Sequence, residues 1–242
     1  MRSCYQTLLR LQLALGIVVA LPALGAEELV MTAKYQSGEV VPYILDAASA
    51  DPRYVVILFP GGSGVMDPRI QDGRLVYGFR GNFLIRSRPW LVDRDFAAVA
   101  TNTTISEERV QALLDDVKRR YPAAKVYVMG TSNGTYATMR LAGYLAGRVA
   151  GVIHTSSLNA ISRFDSRQYR NRQLIVSHRE DVCRATLFSA SQDAHERYGT
   201  DFIVMEGGIS TGEYCEAFSH HGYNGIERET IEKIKEWIRK GG

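Results

Sequence analysis

The sequence predicts an α/β fold with a mostly parallel central sheet, helices on both faces of the sheet and an antiparallel hairpin at the N-terminus. Several short runs are apolar throughout, such as Tyr54–Phe59 (YVVILF), as expected of strands that are buried on both faces. Segments with apolar residues at helical spacing lie between these runs. Strands that alternate with amphipathic helices are typical of a parallel sheet covered on both sides.

The elements begin with two apolar runs, residues 29–34 and 40–46, on either side of the turn-forming Ser37-Gly38, and these runs predict a hairpin. The remaining predicted elements are, in chain order, strands at residues 54–59 and 97–100, a helix after the N-cap candidate Ser106, a strand at 125–129, a helix at 135–145, strands at 149–154, 173–177 and 201–205, and a final helix carrying Ile231, Ile234 and Ile238. No internal repeat and no linker rich in Pro, Gly or Ser interrupts this order. The pattern therefore predicts one domain over residues 27–242.

The first 26 residues have the composition of a secretory signal peptide. Two arginines and an apolar run at residues 11–26 precede the acidic pair Glu27-Glu28. The apolar run is short for a membrane span of ~20 residues, which makes an uncleaved anchor the less favoured alternative. We expect cleavage after Ala26 or Gly25, a periplasmic or secreted protein, and no stable membrane insertion after cleavage.

Composition and charge restrict the class of partner. The chain has 242 residues, 45% of them hydrophobic, which is enough for one substantial core. A net charge of +3 at pH 7 argues against nucleic acid as the main partner. Beyond the predicted signal peptide only Cys183 and Cys215 remain. An even pair in an oxidising compartment suggests a disulfide, and two unrelated buried thiols are the alternative.

Polar residues follow four of the predicted strands, at the edge where a parallel sheet places its ligand site. The segments are PGGSG at residues 60–64, GTSNGT at 130–135, HREDVC at 178–183 and the stretch from Cys215 that continues as SHHGYNGIE at 219–227. A serine, an acidic residue and a histidine thus occur in that order along the chain.

This arrangement resembles the α/β-hydrolase superfamily, in which a serine lies on a strand–turn–helix elbow and is followed by an acid and then a histidine. The resemblance covers nearly all of residues 27–242 and is closest to small exported serine hydrolases with little or no cap domain. Only 18 residues separate the strands at 149–154 and 173–177, so a large cap is excluded there. The resemblance implies a carboxylic ester hydrolase acting through an acyl-serine intermediate, with peptidase, thioesterase and acyltransferase activities as alternatives.

The resemblance implies a role for each catalytic candidate. Ser132 would be the nucleophile, which needs an adjacent base at neutral pH. His221, which precedes a glycine, is the favoured base and His220 the alternative. Asp181 would orient the imidazole, and its neighbour Glu180 is the alternative.

The developing oxyanion needs two fixed donors. The resemblance implies the N–H of Asn133 as one donor and the N–H of Gly62 or Ser63 as the other. Ser63 is less suited to be the nucleophile, because no strand–turn–helix context follows it. A Cys183–Cys215 disulfide would tie the loop of the acid to the loop of the histidine.

Two other classes of function remain open at this point. His178, Asp181, Cys183 and His220 have side chains that bind zinc, but their spacing matches no zinc signature, so we expect neither a metal nor another cofactor. A non-catalytic binding protein on the same fold is the second alternative, because fold does not imply activity. A small-molecule ester is the expected partner, and the oligomeric state stays open.

Several further residues have two interpretations. Three aromatic residues between the glycine loop and the next strand either wall a substrate pocket or belong to the core: Phe79, Phe83 and Trp90. We expect His154 and His195 to be structural or surface residues, because no motif surrounds them. The arginine-rich run at residues 163–172 is expected to be a solvated loop or a small lid remnant.

Overall fold

The computed structural model describes residues 27–35 and 37–241, and the predicted signal peptide lies outside these residues. The strands of this described part are β1 Glu27–Lys34, β2 Val40–Ala47, β3 Tyr54–Phe59, β4 Arg69–Gln71, β5 Arg74–Val76, β6 Phe96–Thr101, β7 Lys125–Thr131, β8 Gly151–Thr155, β9 Arg172–His178 and β10 Asp201–Met205. Its α-helices are α1 Phe83–Arg86, α2 Arg88–Leu91, α3 Glu107–Arg120, α4 Gly134–Arg140, α5 Ala142–Leu145, α6 Phe188–Tyr198 and α7 Glu227–Lys240. Within the described part of the chain, no helix has the length and hydropathy that crossing a bilayer requires.

Eight strands form one sheet in the order β1-β2-β6-β3-β7-β8-β9-β10. The first two form the predicted hairpin, and β2 is also antiparallel to β6. The other five pairings are parallel. The mostly parallel α/β fold predicted from the sequence is therefore confirmed. The short ribbon of β4 and β5 lies apart from this sheet and was not predicted.

Apolar side chains on the two faces of the sheet form separate clusters. One face packs against α1, α2 and α7, and the other packs against α3, α4 and α5. The α3 helix begins as predicted, because the Ser106 side chain accepts a hydrogen bond from the N–H of Arg109 at 3.3 Å. Coverage on both faces explains why strands such as β3 are buried along their whole length.

Two helical segments differ from the prediction. The expected helix at 135–145 is divided at Leu141 into α4 and α5. The sequence pattern predicts a single helix because Leu141 and Leu145, one on each side of the division, are buried in the same cluster. The α6 helix was not predicted. Its buried residues are Ala190, Ser191 and Ala194, and such small side chains give a weak amphipathic pattern.

Candidate active site

Ser132 lies on a tight turn between β7 and α4. Its φ angle is +51°, a left-handed conformation that costs a residue with a side chain roughly 1–3 kcal/mol. The turn is close enough that a Cβ on Gly130 would lie 2.6 Å from the Gly134 carbonyl oxygen. A Cβ on Gly134 would lie 2.2 Å from the carbonyl oxygen of Phe59. Both glycines of the motif are therefore required by the backbone, which holds Ser132 at the carboxyl edge of the sheet.

Asp181 and His221 meet at this edge of the sheet. The Oδ2 atom of Asp181 lies 3.0 Å from Nδ1 of His221, and both side chains are buried. Asp181 is fixed in turn, because its Oδ1 accepts the N–H of Cys183 at 3.0 Å. The Thr186 hydroxyl lies 3.1 Å from Asp181 Oδ2 and 3.0 Å from His221 Nδ1. Nothing in the sequence pointed to Thr186, which lies outside every motif.

His221 is held from the sheet side by two residues. The Ser156 hydroxyl donates to the carbonyl oxygen of His221 at 2.6 Å. The buried Tyr223 hydroxyl accepts the N–H of Ser156 at 2.9 Å and donates to the Val176 carbonyl oxygen at 2.8 Å. Burial raises the pKa of Tyr223, so it remains a neutral donor. These bonds connect the turn that carries His221, residues 217–222 (the histidine turn), to the ends of β8 and β9.

The alternative residues of the sequence analysis lie in a neighbouring arrangement. The rings of His220 and His178 stack with their centroids 4.5 Å apart. His220 Nε2 lies 3.7 Å from the carboxylate of Glu180, whose side chain is 63% exposed. His178 Nε2 donates to the Gly207 carbonyl oxygen at 2.8 Å, and burial lowers the pKa of His178. The structure thus pairs His221 with Asp181, and His220 with Glu180.

The four residues considered as zinc ligands are divided between two clusters. His178 and His220 group with Glu180, while Asp181 and Cys183 group with His221. The Cys183 sulfur is bonded to another cysteine. The second nitrogen of His178, Nδ1, accepts the N–H of Glu180 at 3.0 Å. Backbone and disulfide partners therefore occupy the ligand atoms of His178 and Cys183, so neither cluster keeps three free ligands and the residues do not fit a metal site.

A disulfide joins Cys183 to Cys215 across 32 residues of sequence. Cys183 is buried two residues after Asp181, whereas Cys215 is exposed at the start of the histidine loop. The bond thus connects the two loops that carry Asp181 and His221, as predicted from the sequence.

We expect the double substitution of Cys183 and Cys215 by alanine to lower the free energy of unfolding by about 3–4 kcal/mol. A disulfide that closes a loop of this length raises the free energy of the unfolded chain by that amount, because it lowers the conformational entropy of that chain. Denaturant unfolding of the wild type with and without a dithiol reductant measures the effect, and the double variant should not respond to the reductant. Equal stability of the reduced and oxidised wild type would contradict the prediction.

Ser132 and His221 line the same open cavity of about 570 Å³. Gly62 and Asn133 also line it, and the Asn133 side-chain amide donates to the Gly62 carbonyl oxygen at 2.8 Å. Among the described residues, none accepts a hydrogen bond from the backbone N–H of Gly62 or Asn133. Ser63 is exposed and does not line the cavity. Of these two candidates in the glycine loop, Gly62 is therefore the one that lines the cavity of Ser132.

Aromatic side chains form the apolar wall of the cavity. Phe79 has a φ angle of +59° and packs so closely on Gly62 that a Cβ there would lie 2.7 Å from the Phe79 ring. Phe83 lines the cavity and is also part of the core, so both of its interpretations hold. Trp90 lies on α2, away from the cavity. Phe218, which is 51% exposed, completes the wall, and sequence reasoning missed it.

The remaining histidines lie outside the cavity. His154 is fully buried between the Thr138 hydroxyl (2.8 Å) and the Gln173 side chain (3.0 Å), and burial lowers its pKa to about 4. His195 on α6 bonds to the Thr200 carbonyl oxygen at 2.7 Å. Both are structural. The segment 163–172 contains a short 3₁₀ turn at Ser166–Gln168 and contributes no residue to the cavity.

Comparisons with known proteins agree with this fold. No protein-family model and no curated protein sequence matches the chain. Among solved structures, an α/β serine hydrolase without a lid from Xanthomonas campestris is 14% identical, with a TM-score of 0.59 over 86% of this chain and 95% of its own. The esterase domain of a Rhodothermus marinus protein is 13% identical, with a TM-score of 0.60 over 89% of this chain and 100% of its own. A Pyrococcus furiosus esterase is 11% identical, with a TM-score of 0.64 over 90% of this chain and 95% of its own. At this level of identity the similarity establishes the fold, and the chain has the α/β-hydrolase fold with little or no cap.

Proposed function

We propose that the protein is a serine hydrolase that cleaves carboxylic esters through an acyl-serine intermediate. The observation that carries the proposal is the pair of Asp181 Oδ2 and His221 Nδ1 at 3.0 Å, with His221 lining the same cavity as Ser132. The strained elbow at Ser132 supports it, because strain of this kind concentrates at functional sites. The three similar structures are described as a serine hydrolase and two esterases, which favours the same class.

In this mechanism the oxygen of Ser132 attacks the ester carbonyl while His221 Nε2 takes the serine proton. Asp181 accepts the Nδ1–H of His221, which fixes the tautomer and stabilises the imidazolium. The N–H groups of Gly62 and Asn133 would hold the oxyanion of the tetrahedral intermediate. The intermediate collapses as His221 returns the proton to the leaving alcohol. Water then attacks the acyl-serine, again with His221 as the base, and releases the acid.

The lining of the cavity favours uncharged esters with an apolar group. Phe79, Phe83 and Phe218 supply aromatic surface, and burial of an apolar group against it is favourable. Glu216 is the charged carboxylate of the lining, and no lysine or arginine of the described residues lines the cavity. An anionic substrate would therefore meet repulsion and no compensating cation.

Intact-protein mass after incubation with a fluorophosphonate tests the proposal. We expect one adduct on the wild type and none on Ser132→Ala, because only an activated serine attacks phosphorus at a useful rate. Esters, thioesters and peptides with the same acyl group then identify the reaction. An unlabelled but folded wild type would contradict the proposal and favour a binding protein on this fold.

Export to an oxidising compartment is part of the same proposal. The Cys183–Cys215 disulfide supports it, because disulfides persist in such compartments and are rare in the cytosol. N-terminal sequencing of the protein recovered from the periplasm or medium tests it, with Glu27 or Ala26 expected as the first residue. A retained Met1 in that fraction would contradict cleavage.

A further inference from the structure

Arg86 connects the histidine turn to the segment before α1 and to the start of α7. It is the last residue of α1, and its side chain is only 14% exposed. Its Nη2 donates to the carbonyl oxygens of Ala217 at 3.0 Å and Gly222 at 2.7 Å. Its Nη1 donates to the carbonyl oxygen of Gly81 at 2.5 Å. Its Nε and Nη2 donate to the Glu227 carboxylate at 3.0 and 2.9 Å.

The two carbonyl groups that share Nη2 lie on either side of His221 in the chain. The backbone folds back so tightly there that a Cβ on Gly222 would lie 1.9 Å from the carbonyl oxygen of Ala217. Both carbonyl oxygens thus point at one nitrogen of Arg86. A buried carbonyl that loses its donor is destabilising, because it has given up its hydrogen bonds to water without a replacement. Without the guanidinium, the turn would open to find other donors, and His221 would move with it.

The turn is held by hydrogen bonds from two different segments. Ser156 holds the carbonyl oxygen of His221 itself from the sheet side, at 2.6 Å. Arg86 holds the carbonyls of Ala217 and Gly222 from the helix side. Neither residue lines the cavity. Both therefore act on His221 through the backbone.

Glu227 fixes the guanidinium in the plane that this contact needs. Its Oε1 accepts hydrogen bonds from Nε and Nη2 of Arg86, and its Oε2 accepts one from the N–H of Gly225 at 2.9 Å. As the first residue of α7 it also lies where the helix dipole favours a carboxylate. Lysine cannot reproduce this fork of donors, because its ammonium group is a single point charge.

We infer that Arg86 is a positioning residue for the proposed reaction, one that holds His221 in register with Ser132 through the backbone of residues 217–222. The same guanidinium binds the Gly81 carbonyl and so couples this turn to the segment that carries Phe79. The inference rests on the proposed function, and its test separates the two.

The test compares Arg86→Met with Arg88→Met. Arg88 is a matched control, because its side chain is even more buried, at 6% exposed, and pairs with Glu28 at 2.7 Å and Asp46 at 2.9 Å. In the described part of the chain it makes no hydrogen bond to the histidine turn. The readouts are the thermal midpoint, the rate of fluorophosphonate labelling, and kcat and KM for a neutral p-nitrophenyl ester well below both midpoints.

We expect Arg86→Met to lower kcat and the labelling rate by up to about 10²-fold, the cost of misplacing a reacting group by roughly 1 Å, with KM changed little. Arg88→Met should lower the thermal midpoint and leave kcat within a few-fold of the wild type. Arg86→Lys should recover only part of the rate. Millimolar guanidinium, far below denaturing concentration, should accelerate Arg86→Ala and leave Arg88→Ala unchanged.

Equal labelling rates for folded Arg86→Met and Arg88→Met would overturn the inference. If Arg86→Met does not fold, the Arg86→Lys variant is the test. A kcat of Arg86→Lys equal to that of the wild type would overturn the inference. A wild type that is not labelled at all would instead contradict the proposed function. The two failures are therefore distinguishable.

Discussion

Replacing His221 by alanine is expected to lower kcat by about 10⁶-fold, the loss found when a catalytic histidine is removed from a serine hydrolase. Replacing His220 by alanine is expected to change kcat by less than about tenfold. The reason is geometric. His221 bonds to the buried Asp181 and lines the cavity of Ser132, whereas His220 stacks on His178 beside an exposed Glu180.

The two variants are a matched pair, because they remove the same side chain from adjacent positions of one turn. Both should be checked for unchanged folding by circular dichroism before kcat is measured with an uncharged p-nitrophenyl ester. The labelling rate with the fluorophosphonate should fall with His221→Ala and persist with His220→Ala. A larger loss from His220→Ala would mean that the base had been assigned to the wrong histidine.

The sequence predicts those parts of the candidate site that depend on local structure. The elbow of Ser132 can be read from its motif, because a buried strand must turn into a helix within a few residues and only glycine fits on either side. The strand–helix alternation likewise predicts a parallel sheet with the polar segments at one edge. The order of the strands in that sheet depends on long-range pairing, and no sequence pattern indicated it.

The sequence does not decide between adjacent residues on the same loop. Glu180 and Asp181 are both acids after β9, and His220 and His221 share one turn. Which member joins the buried acid–histidine pair depends on contacts from distant segments, such as the hydrogen bond from Ser156 to His221. These contacts are absent from any local pattern.

Other residues of the site have no sequence signal at all. Thr186 lies outside every motif, and Phe218 lies in the stretch after Cys215 without a pattern that marks it. The role of Arg86 depends on carbonyl groups more than 130 residues away in the chain. Backbone carbonyls carry no side-chain information, so a residue that binds them cannot be recognised from the sequence. The apolar residue Phe79 was identified as a candidate, but its close packing on Gly62 depends on a backbone conformation that the sequence did not predict.

Replacing Asp181 by asparagine is expected to lower kcat by about 10⁴-fold while the protein stays folded. The substitution is nearly isosteric. With the amide nitrogen in the place of Oδ2, the carbonyl oxygen in the place of Oδ1 still accepts the N–H of Cys183, and the hydroxyl of Thr186 accepts from the amide nitrogen instead of donating. If the amide nitrogen faces His221 Nδ1, that ring nitrogen must become an acceptor. The proton of the neutral imidazole then lies on Nε2, and His221 can no longer take the proton of Ser132.

Glu180→Gln provides the control, because it removes the neighbouring carboxylate from a side chain that is 63% exposed and 3.7 Å from His220. We expect kcat for Glu180→Gln within a few-fold of the wild type, since exposed ion pairs contribute about 0–1 kcal/mol. Steady-state kinetics on both variants, with the thermal midpoint of each, measures the difference. An Asp181→Asn enzyme that kept the wild-type kcat would show that the imidazole is oriented by something other than this carboxylate. The short contacts of the Thr186 hydroxyl with His221 and Asp181 would then make Thr186 the next residue to replace, because it is the one other side chain that touches His221 Nδ1 among the described residues.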